Sequence, residues 1–247
     1  MTKQAATARV CMMAGKIMLE CGAETYRVED TMNRIANAYG LKNAQSYATP
    51  TGINFSHENQ DMTYFRRVTS RATDLHKIAE VNDISRKITA GELSVSEAKL
   101  QLNNISQAKL TFPAWLQIVA AAFVSGSFAI MFGGSWGDFL PAFLAGGLGF
   151  ASMLFFDRLV EIRFIAEFFA SFVIGLAAVI SVHYGFGQAL DRIIIGAVMP
   201  LVPGLHITNA VRDLMIGHLV AGLSKGVEAV LTAFAIGAGV AVVFAFL

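Results

Sequence analysis

The sequence is poor in cysteine and lacks the common motif of nucleotide binding. Its only cysteines, Cys11 and Cys21, are too few for a disulfide framework or a zinc site, so reduced, half-buried thiols in a cytosolic setting are expected. No G-x-x-x-x-G-K-[ST] motif occurs, so ATP use is not indicated. Because Lys3, Arg9 and Lys16 interrupt the N-terminal stretch, we also expect no signal peptide.

Charge is scarce in the second half of the chain. Residues 1–111 hold 14 of the 19 Lys and Arg and 11 of the 18 Asp and Glu, whereas residues 112–247 are mainly apolar. A mean hydropathy of +0.54 with 55% apolar residues is typical of a membrane protein. The near-neutral balance gives no reason to expect nucleic-acid binding. We predict a polar domain over 1–111 and a transmembrane domain over 112–247.

The polar half predicts a small cytosolic α+β domain. Apolar residues recur at helical spacing in two segments before residue 40. The stretches "GINFSH" and "MTYFRRV" then alternate like strands, joined by the polar run Glu58–Asp61, which predicts a β-hairpin near 52–68. Two further helices are predicted at about 74–89 and 95–107, the second opened by a capping box of Ser94 and Glu97.

The apolar half predicts five transmembrane helices, each long enough to cross the ~30 Å hydrocarbon core. Their ranges are about 113–132, 138–156, 164–183, 190–210 and 227–246. Basic residues are concentrated in the polar domain and in the loops near 157–163 and 211–226. By the positive-inside rule the N-terminus is cytosolic and the C-terminus lies outside. The fold class is an α-helical polytopic membrane protein with an N-terminal cytosolic α+β domain.

Small residues are dense in two of the predicted spans. The runs are "AFLAGGLGFAS" and "AIGAGVAVV". Faces of this kind allow helices to approach closely in lipid. They serve either packing within the chain or docking against a partner, and the pattern leaves both open.

The segment Pro200–Asp213 interrupts the fourth span with polar residues. Pro200, Pro203 and Gly204 break the helix, and transporters use such breaks to aim half-helix ends at a bound ion or acid. The residues that follow form one polar stripe at helical spacing: His206, Asn209, Arg212 and Asp213. One interpretation is a site for an anionic substrate, with Arg212 as its charge partner and Asp213 orienting that arginine. The other is a kinked helix ending at the cytosolic interface, where Arg212 pairs with Asp213.

Glu167 is an ionisable residue one turn inside the third predicted span. Such a residue costs about 2.5–3.5 kcal/mol on insertion scales, so it usually has a partner or a task. It is either a proton carrier or cation ligand on the transport path, or an interfacial partner of Arg163, four residues earlier. The sequence "HENQD" at His57–Asp61 lacks the second histidine of an HExxH zinc site. We predict no metal and no cofactor.

The most distinctive stretches resemble one known family. "LECGAETYRVEDTMNRIANAYGL", "PTGINFS" and "PLVPGLHITNAVRDLMIGH" are similar to the threonine/serine exporter family, and the resemblance covers essentially the whole chain. Full-length members fuse two membrane halves, and this chain resembles only the first. The resemblance therefore implies the larger subunit of a two-component form in the bacterial cytoplasmic membrane, working in an oligomer with a small membrane partner similar to the second half.

The resemblance also singles out residues in both motifs. In the cytosolic motif they are Gly22, Glu24, Tyr26, Arg27 and Glu29; in the membrane motif they are Pro200, Pro203, Gly204, Asn209, Arg212, Asp213 and Gly217. Taken without the resemblance, Arg27, Asp30 and Arg34 form a charged ladder typical of a solvated helix. After Gly217 the family often has an acidic residue and a Ser-Gly pair, whereas this chain has His218 and Ala221-Gly222.

The function implied is export rather than catalysis. The two-component form is associated with succinate-type dicarboxylates and the fused form with threonine and serine, so the expected substrate is a small organic acid, with an amino acid as the alternative. A membrane-anchored, hydrolase-type enzyme is a further alternative, but the sequence offers no nucleophile–base constellation. A regulatory or scaffold subunit is a third.

Overall fold

The computed structural model describes residues 3–58, 63–108 and 112–246. The predicted boundary at residue 111 and most of the predicted hairpin connection Glu58–Asp61 lie outside these ranges. The chain divides into two compact units, and each is discontinuous in sequence. The first contains Met1–Lys109 and Leu205–Gly226, and the second contains Leu110–Gly204 and Val227–Leu247. A segment of the predicted membrane half therefore belongs to the same unit as the polar half.

In the part of the chain that the structure describes, the polar region of the first unit packs four helices and a small sheet. Its helices are α1 (Lys3–Glu20), α2 (Thr25–Ala38), α3 (Leu75–Thr89) and α4 (Val95–Gln107), and its strands are β1 (Gln45–Thr49), β2 (Gly52–Ser56) and β3 (Tyr64–Arg67). The strands are antiparallel in the order β1-β2-β3. Fully buried side chains such as Met18, Met32 and Phe55 form the core. The capping box predicted at Ser94 and Glu97 is present at the start of α4.

The predicted hairpin region contains two paired strands. Ile53 of β2 lies opposite Arg66 of β3, and Asn54 opposite Phe65. The additional strand β1 pairs with β2 through a tight turn, with Thr49 opposite Gly52. The sequence expectation omitted β1, because its five residues show a weak alternation and Pro50 follows at once.

Six helices follow within the described residues, and they confirm a helical membrane protein. They are α5 (Ala114–Met131), α6 (Trp136–Val160), α7 (Arg163–His183), α8 (Leu190–Val198), α9 (Gly204–Ile216) and α10 (Leu219–Ala245), with a 3-10 turn at Met199–Leu201 after α8. Among the described residues, four of them (α5, α6, α7 and α10) are long and apolar enough to cross a membrane. A fifth crossing requires counting Leu190–Leu201 and Gly204–Ile216 together, and these are bent by 64°. The helix break expected at Pro200–Gly204 is present.

Glycines permit close helix packing inside the second unit. A methyl group at Gly196 of α8 would lie 2.6 Å from the backbone nitrogen of Ala129 in α5. One at Gly149 of α6 would lie 2.3 Å from the Ile174 side chain in α7. Gly237 of α10, in contrast, has no neighbour within 4 Å of such a methyl group. The small residues of α6 therefore pack within the chain, while part of the α10 run leaves an open surface.

Candidate functional site

The corner between α1 and α2 presents a helix N-terminus to the rest of the first unit. α1 ends at Glu20, and Gly22 adopts φ +86°, a conformation that glycine tolerates far better than other residues. Glu24 then precedes α2 in an extended conformation and makes no side-chain cap to its own helix. The first N–H groups of α2 consequently need acceptors from elsewhere.

Asp213 of α9 supplies that acceptor. Its Oδ1 accepts from the backbone N–H of Thr25 at 3.0 Å, and its Oδ2 accepts from the Thr25 hydroxyl at 2.9 Å. Lys225 of α10 donates to the same Oδ2 at 2.7 Å and to the carbonyl oxygen of Ala23 at 3.3 Å. Asp213 is fully buried and Lys225 is 7% exposed. A buried ion pair of this kind is strongly destabilised when one partner is removed, since the other charge remains buried.

A second contact from α9 holds the carbonyl of the corner itself. The Asn209 side-chain amide donates to the Gly22 carbonyl oxygen at 2.9 Å. Asn209 and Asp213 lie one turn apart on α9, so two adjacent turns of this helix bind the corner between α1 and α2. The pairing expected between Arg212 and Asp213 is absent from the described residues, because each has another partner.

Two arginines converge on the carboxylate of Glu24. Arg212 of α9 donates through Nη1 to Oε1, and Arg27 of α2 donates through Nη1 to Oε2 at 3.2 Å. The Glu24 side chain is 10% exposed, whereas those of Arg212 and Arg27 are 55% and 41% exposed. Each guanidinium has five N–H donors and uses one nitrogen here, so within the described part of the chain most of its donors remain unengaged. This arrangement can accept a further carboxylate.

Glu29 lies beside the turn between α9 and α10. Gly217 adopts φ +99° after α9, and His218 follows with its Nδ1 3.8 Å from Glu29 Oε1. The same oxygen accepts from the Ala48 N–H of β1 at 2.8 Å. Burial raises the pKa of Glu29, as does the charge of Asp213, while the Ala48 N–H and His218 act in the opposite direction.

The other predicted residues lie on α2, on α9 and at the bend before α9. Tyr26 is half-buried on α2, and His206 is half-buried on α9, where it has a partner. Pro200 lies in the 3-10 turn and Pro203 is buried at the bend. Gly204 begins α9 at the bend. A methyl group there would meet nothing within 4 Å, so close packing does not require a glycine at this position.

Glu167 belongs to the second unit. It is 2% exposed in α7, and its Oε1 accepts from Arg163 Nε at 2.7 Å. The Ser171 hydroxyl donates to the main-chain oxygen of Glu167 rather than to its carboxylate. No described residue forms a hydrogen bond with Oε2.

Sequence reasoning missed two residues with dense polar contacts. Thr25 donates both its backbone N–H and its hydroxyl to Asp213. The sequence around it indicates only the start of a helix. Asp138, at the start of α6, accepts hydrogen bonds from Ser135, Gln188 and Ala189 and so ties together two loops of the second unit. The sequence signal for Asp138 was its position as a lone acidic residue in the first turn of an apolar helix. Among the described residues no cluster of metal-ligating side chains occurs.

The comparisons with known proteins agree with the motifs. Residues 9–247 match the family described as "Putative threonine/serine exporter". The "Probable succinate transporter subunit YjjP" of Escherichia coli is 26% identical over 96% of this chain and 93% of that protein. That of Klebsiella aerogenes is 26% identical over 91% of this chain and 87% of its own length.

Longer relatives match only in part. The "Probable threonine/serine exporter" of Mycobacterium tuberculosis is 24% identical over 85% of this chain, which spans 40% of that protein's length. No solved structure matches the chain. With a family match over nearly its entire length, the chain belongs to the threonine/serine exporter family.

Proposed function

We propose that the chain is the larger subunit of a secondary exporter that moves a succinate-type dicarboxylate out of the cytoplasm together with a smaller membrane partner. Two relatives named as succinate transporter subunits align over most of their own length with this chain, which supports a subunit of that type. The partner would correspond to the second half of the longer family members. Absence of a nucleotide-binding motif favours an ion or substrate gradient as the driving force.

The observation that carries this proposal is the pair of arginines at Glu24. Planar guanidinium groups bind carboxylates through two parallel hydrogen bonds, and among the described residues both half-exposed arginines keep unused donors. One carboxylate of a dicarboxylate can therefore bind there without displacing Glu24. Glu24 acts as a positioning residue that holds the two guanidinium groups together.

A dicarboxylate fits this cluster better than an amino acid. The ammonium group of threonine or serine needs an acceptor, but the buried carboxylates of Glu24 and Asp213 are already bound by Arg27, Arg212 and Lys225. Threonine and serine remain the alternative substrates because two longer relatives are named as threonine/serine exporters. A membrane-anchored hydrolase is less consistent with a cluster in which the acidic side chains serve as hydrogen-bond acceptors.

We also propose the arrangement in the membrane. The chain lies in the bacterial cytoplasmic membrane in contact with lipid, with its N-terminus in the cytoplasm, five crossings and its C-terminus outside. The fourth crossing is the short one: the nine residues of α8 and the three of the 3-10 turn extend about 20 Å. The distribution of basic residues supports this orientation.

Efflux measurements test the proposal. Cells loaded with labelled succinate or labelled threonine would express the chain alone, the chain with a homologue of the second half of the family, or that pair with Arg212→Lys or Arg27→Lys. We expect partner-dependent succinate efflux, reduced roughly tenfold by either substitution, because lysine keeps the charge but not the planar fork.

Arg34→Lys is the matched control for these variants. Arg34 lies on the same helix as Arg27 and is similarly exposed, at 45%, but it pairs with Asp30 outside the cluster. Its substitution should leave efflux unchanged. Equal efflux in all three arginine variants would show that the cluster does not bind the substrate. Efflux of threonine alone would show that the substrate is an amino acid and not a dicarboxylate.

A further inference from the structure

α9 and the start of α10 expose many large apolar side chains for a part of the first unit. Within Leu205–Gly226 nine such side chains are exposed, whereas the described residues between 3 and 108 expose four. Met215 is 82% exposed, and Val211 and Leu223 are more than half exposed. An apolar patch of this kind marks a surface that contacts lipid or another protein.

Val211 and Met215 lie on the side of α9 that faces away from the corner between α1 and α2. Asn209 and Asp213 bind that corner, and Ala210 is buried. Val211 and Met215 are each two residues from Asp213, and at 3.6 residues per turn this separation places them on the opposite side of the helix. α9 is therefore amphipathic, and its hydrogen bonds to the corner fix the direction in which its apolar side points.

The apolar exposure continues from α9 into the first turns of α10. A methyl group at Gly222 would lie 2.6 Å from Cγ of Leu214, so this part of α10 packs closely on α9. Leu219 and Leu223 of α10 are exposed. The two helices thus expose large apolar residues on both sides of the turn at Gly217.

The segments on either side of α9 are the proposed fourth and fifth crossings. Val202 and Pro203 separate α9 from the 3-10 turn that ends the fourth crossing, and the α10 helix that follows is long and apolar enough to cross a membrane. The chain bends by 64° between Leu190–Leu201 and Gly204–Ile216, so α9 does not continue the fourth crossing. In the proposed arrangement, this helix of 13 residues and about 20 Å therefore lies at the cytosolic boundary of the bilayer.

The composition of the apolar side of α9 fits lipid chains better than a partner helix. Helices dock in membranes through small residues that allow close approach, whereas this side carries the larger Val211 and Met215. The Thr208 hydroxyl donates within α9 itself, and the Arg212 guanidinium, at the edge of this side, is bound to Glu24. Fluid lipid chains require neither shape complementarity nor hydrogen-bond donors, so they match a surface of large apolar groups.

We propose that α9 lies in the plane of the cytosolic membrane surface, with Val211 and Met215 inserted about 5–10 Å among the lipid chains. The inference rests on the membrane arrangement given with the proposed function. α9 binds the corner between α1 and α2 with its polar side and lipid with its apolar side. The pair of arginines at Glu24 is consequently held close to the membrane surface.

The depth of single fluorescent probes tests this proposal. Met215→Cys, Phe123→Cys and Leu100→Cys would each be labelled with a nitrobenzoxadiazole maleimide, since the buried Cys11 and Cys21 stay unlabelled. Each chain would be reconstituted, alone and with its small partner, in vesicles of phosphatidylcholine and phosphatidylglycerol. The phosphatidylcholine would carry a quenching spin label either near the headgroup or near the end of the acyl chain.

We expect the probe at Met215 to lose roughly twofold more fluorescence to the label near the headgroup than to the deep label, because its insertion is shallow. Phe123, exposed in the middle of α5, should show the reverse order. Leu100, which is 62% exposed on α4, is the matched control and should lose little fluorescence to either label. The partner should not change the result at Met215, and Val211→Cys, labelled in the same way, should repeat it.

Three results would overturn the proposal. Quenching at Met215 as weak as at Leu100 would place the apolar side of α9 in water, and stronger quenching by the deep label would make α9 part of a crossing. Shallow quenching that disappears when the partner is added would assign the surface to the partner.

The probe at Phe123 separates this proposal from the one on which it rests. Deep quenching at Phe123 with any of the three results at Met215 would overturn the lipid contact of α9 and leave the proposed function standing. Lack of quenching at both positions would overturn the lipid contact and the membrane arrangement together. Because these measurements need no transport, a chain that moved no succinate but showed shallow quenching at Met215 would contradict the proposed function alone.

Discussion

At the scale of single residues, the most consequential side chain is Asp213. It serves as the N-terminal cap of a helix that begins 188 positions earlier in the sequence. The carboxylate also benefits from the positive end of the α2 dipole and from the ammonium group of Lys225. Three stabilising effects therefore converge on one buried group.

Replacing Asp213 by asparagine should destabilise the protein by about 3–5 kcal/mol, because Lys225 would remain buried without a counter-charge. The measurement is thermal unfolding of the purified protein in detergent. Asp213→Asn combined with Lys225→Met should be less destabilised than the sum of the single variants predicts. Strict additivity of the two changes would show that the ion pair contributes nothing.

Glu29 makes stability depend on pH in a definite direction. Because burial raises its pKa above the ordinary value of 4.5, the folded protein binds this proton more tightly than the unfolded chain. The free energy of unfolding contributed by this group is therefore greatest below about pH 4.5 and decreases as pH rises through the raised pKa. Glu29→Gln should remove this decrease.

The same titration tests the contact between Glu29 and His218. His218→Glu would place a second carboxylate near Glu29, and like charges raise the pKa further. The pH-dependent decrease in melting temperature should then extend to higher pH than in wild type. The contact between Glu29 and His218 would be contradicted if the melting temperature had the same pH profile in wild type, Glu29→Gln and His218→Glu.

At the scale of secondary-structure elements, close helix contact depends on particular glycines. Gly196→Ala should destabilise the protein by about 1–3 kcal/mol, because the new methyl group would force α8 away from α5. Gly237→Ala, which meets open space on α10, should be neutral or slightly stabilising, since alanine favours helix. The measurement is thermal unfolding of the two variants side by side. Equal melting temperatures would contradict the close contact between α8 and α5.

Elements with strong local signals were predictable, and the contacts between them were not. Helical spacing, the Ser94–Glu97 capping box and the break at Pro203 each arise from residues a few positions apart. β1 was missed because five residues ahead of a proline give little alternation. The partnership of Thr25, Asp213 and Lys225 depends on tertiary packing, and no local pattern pairs a threonine with an aspartate so far along the chain. The pairing of Arg212 with Glu24 instead of Asp213 was missed for the same reason.

At the scale of the whole molecule, the proposed orientation can be tested by cysteine labelling. Burial raises the pKa of Cys11 to about 12 and that of Cys21 to about 11, so both native thiols should be unreactive toward maleimide near neutral pH. Phe186→Cys, in the loop after α7, should be labelled in intact cells by an impermeant maleimide. Ile162→Cys, before α7, should be labelled only after lysis. The reverse pattern would invert the proposed topology.

The discontinuous first unit has a consequence for how the protein is made. Its helices α1 to α4 are synthesised early, but the acceptor and the ammonium group that complete the start of α2 belong to residues 213 and 225. At the usual speed of translation the ribosome needs on the order of ten seconds to add the intervening residues. During that interval the start of α2 in the nascent chain is uncapped. We expect chaperones to bind the N-terminal region until the last helix has been synthesised.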